Sequence, residues 1–74
     1  MNKKTANRLM KQMVSLMRDL EEAGDVTLQI IDKEERIPIR RGIGEAIGFL
    51  YVDVMMPIIE QYPELEPPGI KEAG

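Results

Sequence analysis

The apolar positions in the first third of the chain recur at helical spacing. Leu9, Met13, Leu16 and Leu20 are spaced four, three and four, and Met10, Met13, Met17 and Leu20 are spaced three, four and three. With Ala6, Val14 and Ala23 they fill about half of a helical wheel drawn at ~100° per residue. Lys4, Arg8, Lys11, Ser15, Arg18, Asp19 and Glu22 fill the other half. The pattern predicts an amphipathic helix over residues 5–23, capped by Thr5 or Asn2 and stopped by a left-handed Gly24. An apolar arc that wide exceeds the seam of a two-stranded coiled coil and suits packing against two neighbours.

The period then changes. Val26, Leu28 and Ile30 alternate with Thr27 and Gln29, and Ile37 and Ile39 alternate with Arg36, Pro38 and Arg40. This alternation predicts a β-hairpin over 26–40, turning at Asp32-Lys33-Glu34-Glu35 and pairing Ile30 with Ile37 and Leu28 with Ile39. Pro38 has no N–H for a ladder, so its strand is expected at an edge.

Residues 42–62 predict a second helix, ended or kinked at Pro57, which cannot donate to the Asp53 carbonyl. Its polar positions, Glu45, Asp53 and Glu60, form a narrow line, and Phe49, Val52 and Met56 lie on or beside it. Ile47, Leu50 and other apolar residues cover the rest. A helix apolar nearly all round is buried on more than one side, which a chain this short cannot achieve alone. Phe49, Val52, Met56, Leu50 and Ile47 are therefore candidate protein-interface residues, together with the methionine face Met10, Met13 and Met17. Residues 63–74, with three of the five prolines, read as an extended acidic tail.

Composition narrows the chemistry. The 74 residues contain no Cys and no His. That removes disulfides, thiolate chemistry, the commonest metal ligand and the commonest general base near neutral pH. No catalytic constellation, cofactor motif or dense carboxylate loop is visible; Gly42 and Gly44 lack the third glycine and the strand context of a dinucleotide loop. The apolar run Ala46–Ile59 is about 14 residues, against the ~20 of a spanning helix. A cytoplasmic protein with no cofactor, no metal and no membrane partner is expected.

Charge is segregated. Residues 1–18 carry five cations and no acid, whereas residues 19–35 carry seven acids and one lysine. Basic groups early in a helix and acidic groups late oppose the helix macrodipole, so something is expected to offset them. An antiparallel second copy of the helix would, by setting Lys4, Arg8 and Lys11 against Asp19 and Glu22. Arg36, Arg40 and Arg41 form a second basic cluster beside the hairpin.

Together these observations predict an α+β domain of order α-β-β-α over 1–62, completed by dimerisation, followed by the tail 63–74. The expected function is a small acidic protein–protein interaction module without enzymatic activity. It would be an adaptor, inhibitor, antitoxin-like or immunity-like protein acting as a homodimer on an unidentified partner. The alternative is a nucleic-acid-binding regulator that uses Lys4, Arg8, Lys11, Arg36, Arg40 and Arg41 on phosphates. Against it stand the net charge of −3 and the lack of a basic aromatic platform.

Overall fold

The computed structural model describes residues 1–67, and among these no residue is in a β-strand. The expected α+β class and the hairpin over 26–40 are therefore wrong: the chain is an antiparallel helical hairpin. Helix α1 spans Lys3–Val26, a 3₁₀ turn Thr27–Gln29 follows, and α2 spans Lys33–Phe49. The same helix continues through a π segment, Leu50–Met55, into α3, Met56–Gln61. A 3₁₀ turn over Pro63–Leu65 follows α3.

The stretch read as a turn, Asp32–Glu35, is instead a helix start. The Asp32 carboxylate accepts a bond from the Glu34 N–H at 2.9 Å, and Glu34 and Glu35 sit in the first turn, where the macrodipole favours acids. A capping aspartate and two well-placed glutamates outweigh the alternation of only two isoleucines, Ile37 and Ile39. Pro38 lies within α2 on its solvent side, early enough that the one carbonyl it leaves free, that of Glu34, is near the exposed helix start.

Helix α1 starts as anticipated, with the Asn2 side chain accepting from the Thr5 N–H at 2.8 Å. It does not stop at Gly24. No glycine among the described residues has a positive φ, and the helix runs on to Val26. Its closing turn is held by side chains, described below.

Pro57 neither ends nor sharply interrupts its helix, because the π segment absorbs it. The Met56 N–H bonds the Tyr51 carbonyl, five residues back rather than four. An unbroken α-helix continuing the inward series Ile43, Ile47 and Leu50 would next turn Val54 and Pro57 inward. The wider π turn instead buries Met55, Ile58 and Ile59 and leaves Pro57 in solvent. The proline, which could not bond there, is rotated out of the packing face.

The buried core is Ala6 and Met10 from α1 with Met55, Ile58 and Ile59. Met13, Met17, Val54, Tyr62 and Leu65 pack against it. It lies at the end of the hairpin where residues 1–3 meet residues 62–64. There Tyr62 Oη donates to the Met1 carbonyl at 2.7 Å and Lys3 pairs with Glu64 at 3.0 Å. The Pro63–Leu65 turn therefore belongs to the fold, not to a tail; the remainder of the predicted tail, residues 68–74, lies outside the described residues. The molecule measures 46 × 22 × 16 Å, two helices wide and one helix deep.

Candidate interaction surface

Five of the residues singled out for contact with other molecules are engaged within the chain. Met10 is fully in the core, and Met13 and Met17 pack beside it. Ile47 and Leu50 are half-buried on the side of the long helix facing α1. The methionine stripe is thus the inner seam of the hairpin.

The arginines divide in the same way. Arg40 Nη1 donates to the Gly24 carbonyl at 2.8 Å and to Thr27 Oγ1 at 3.1 Å, and the Thr27 hydroxyl donates to the same Gly24 carbonyl. Arg36 Nη1, one helical turn earlier, donates to the Ile30 carbonyl at 3.2 Å. Thr27 is 4% exposed and is the one buried polar residue among those described. No basic residue lies in the last turn of α1 itself. Arg40, reaching across from α2, supplies the positive charge there and satisfies a carbonyl that the helix end leaves free. The cation expected to offset the α1 dipole thus comes from the same chain. Arg41 is exposed.

Lys4, Arg8 and Lys11 are exposed toward the opposite end of the hairpin, about 20–30 Å along α1 from Gly24 at ~1.5 Å per residue. The fold does not gather the six basic residues into one patch. At the lysine end the Glu64 carboxyl is held below its ordinary value, chiefly by a hydrogen bond to its own backbone N–H and then by Lys3.

Phe49 and Val52 are where the sequence placed them, on the surface. They are 68% and 61% exposed, on the side of the long helix away from α1. With Glu45, Gly48 and Asp53 they line a shallow apolar depression of about 310 Å³. A Cβ built on Gly48 meets nothing within 4 Å, so the floor of the depression is open. Both carboxylates are solvent-exposed. Met56, grouped with Phe49 and Val52 in the sequence reading, is half-buried because the π segment turns it partly inward.

Two features escaped the sequence reading. The connection between the helices exposes Val26, Leu28 and Ile31, the last at 97%. The alternation that suggested a strand is there spent on a solvent-facing turn. The second is length: because α2 continues through the π segment, Lys33–Gln61 is one helix of 29 residues, and an 18-residue window of it has a mean hydropathy of 1.5. By length and composition this helix is sufficient to cross a membrane, although the apolar run Ala46–Ile59 by itself is about 14 residues. Only 11% of that window is buried within the chain.

Among the described residues no three carboxylates lie close enough to hold a metal ion. Comparison with known protein families, curated proteins and solved structures found no match.

Proposed function

We propose that this chain is a small, acidic, non-catalytic protein–protein interaction module. In this reading it acts as a homodimer and offers the outer face of its long helix to a second protein, as an adaptor, inhibitor, antitoxin-like or immunity-like protein would. The observation that carries the reading is the exposure of Phe49 and Val52 between Glu45 and Asp53. An exposed aromatic beside an aliphatic residue, rimmed by charge, is the composition of an interface centre rather than of ordinary surface.

The same helix is apolar enough to enter a membrane, and two features favour protein over lipid. Glu45 and Asp53 fall inside the apolar window, and the polar line is acidic, whereas helices lying on anionic lipid carry lysine and arginine. The nucleic-acid alternative loses support from the engagement of Arg36 and Arg40 with backbone carbonyls.

The test compares the intact chain with Phe49→Glu. The wild type should fractionate without membranes, and a specific partner bound by it should be lost to the variant at unchanged helicity. Recovery of the wild type only with membranes after a high-salt wash would sink the proposal. So would a partner retained at full strength by Phe49→Glu.

A further inference from the structure

The homodimer of that reading needs a face, and the hairpin has one side that none of the described residues covers. In α1 the seam toward α2 runs through Ala6, Met10, Met13 and Met17, and in α2 through Ile43 and Ile47. Leu9 and Leu16 stand immediately before Met10 and Met17, and at the same seven-residue step Ile39 and Ala46 stand immediately before Arg40, which reaches across to α1, and Ile47. In an antiparallel helix pair, positions preceding the seam on both helices flank it on the same side. Those four side chains therefore form one strip along one face of the hairpin, with no charged residue among them. Leu16 is 42% and Ile39 48% exposed, and Leu9 and Ala46 are half-buried.

The other face differs. Positions following the seam include Asn7, Val14 and Glu21. There the C-terminal turn lies alongside, so that Asn7, Lys11, Val14 and Leu65 line a common groove. One face is thus polar and partly covered by the chain's own end; the opposite one is apolar and bare.

We infer that a second copy of this chain covers the Leu9–Leu16–Ile39–Ala46 face, so that two hairpins stack into an antiparallel four-helix bundle. Three observations choose this occupant. The half-wheel apolar arc of α1 requires two neighbours, and the hairpin supplies one. The described residues form a layer one helix deep with five buried apolar side chains, short of the second layer that domains are built from. The 46 × 22 Å face spans on the order of 1,000 Å², above the ~800 Å² per partner of a standard stable interface.

Charge sets the orientation. A two-fold axis across the middle of α1 lays it antiparallel on its copy. Arg8 of one copy then stands at the level of Asp19 of the other, beside the contact, and Leu9 faces Leu16 across the axis. Phe49 and Val52 remain outside the bundle, so the dimer presents the partner-binding face of the proposed function twice.

Sedimentation of the full-length chain tests this, with helicity recorded by circular dichroism. The wild type should sediment at twice the 8.4 kDa chain mass, Leu16→Lys at the chain mass with its helicity kept, and Phe49→Lys as the dimer. The chain has no native cysteine, so oxidation should link the double variant Leu9→Cys/Leu16→Cys between copies and not link Phe49→Cys. This cross-link decides the matter if Leu16→Lys loses its fold. A dimer that survives Leu16→Lys, or that links only through Phe49→Cys, overturns this face but leaves the homodimer standing. A monomeric wild type, or one held only in lipid vesicles, overturns both.

Discussion

Removing the Arg40 guanidinium should destabilise the hairpin in a way that depends on Thr27. Arg40→Met keeps the apolar stem but removes the donor to the Gly24 carbonyl and to Thr27 Oγ1. A hydrogen bond from a charged group contributes roughly 1.5–3 kcal/mol. Arg40 is solvent-exposed, so the lower end applies, about 1.5 kcal/mol including its interaction with the α1 dipole. Thr27→Val keeps the shape of a buried side chain and removes a neutral hydrogen bond, about 1 kcal/mol. Because Arg40 and Thr27 share the Gly24 carbonyl and bond each other, the double variant should lose less than the sum. The expected coupling is on the order of 0.5–1 kcal/mol. Urea unfolding followed by far-ultraviolet circular dichroism measures all four corners. It must be run at one protein concentration, since self-association would make stability concentration-dependent. At about 1 kcal/mol per molar urea, Arg40→Met should lower the midpoint by ~1.5 M. Arg40→Lys should recover less than half of that, because one ammonium restores the charge but not the two-acceptor geometry. A midpoint unchanged in Arg40→Met, or strict additivity with Thr27→Val, would refute the clamp as the device that closes α1.

Three further outcomes are expected. Met55 is completely buried, so Met55→Ala should cost about 2–5 kcal/mol, comparable with the whole ~3–5 kcal/mol available to so small a core. The variant should lose most of its helicity at 25 °C while Met55→Leu keeps it; a helical Met55→Ala would show that the core lies elsewhere. Gly42→Ala and Gly48→Ala should each raise stability by about 0.5–1 kcal/mol, since both lie in a helix and open space surrounds an added Cβ. A loss at Gly48 alone, read by thermal unfolding, would reveal another helix pressed against that face. The Glu64 carboxyl titrates below its ordinary 4.5, so its contribution to holding the chain ends together is present above that value and is lost as pH falls through the lowered one. Lys3→Met should move its titration, followed by nuclear magnetic resonance, part of the way back toward 4.5, because the bond to its own N–H persists. An unmoved titration would mean that the Lys3–Glu64 pair is not formed in solution.

The first helix was legible because 19 residues of consistent 3.6-residue periodicity leave little room for another structure. The segment 26–40 was misread for the opposite reason. Five apolar residues in two short alternating runs fit a hairpin, and that pattern took precedence over the Asp32 cap and the glutamates after it. The signal was present in Asp32–Glu35 and was assigned to a turn. Arg36 and Arg40, read with Arg41 as phosphate contacts, instead bond backbone carbonyls of the connection and of the end of α1, which no side-chain pattern encodes. Phe49 and Val52 were found because an apolar residue on a polar line stands out in sequence. The demotion of Met56 was not foreseeable, since it follows from a π turn whose only sequence trace is Pro57.

By itself, then, the sequence determined the amphipathic α1, the surplus of apolar circumference on the second helix, the segregation of charge and the absence of cysteine and histidine chemistry. These are properties of residue order and local period, and they hold whatever the chain folds against. Tertiary structure decided which part of each apolar arc is spent inside the chain and which remains. It joined α2 and α3 through a π turn that rotates Pro57 outward and Met55 inward, and it set Arg40 at the far end of α1. It also placed the flanking apolar positions of both helices on one side of a single layer. Periodicity fixes a residue's angle on its own helix; only the packing of two helices fixes which angles meet and which are left bare.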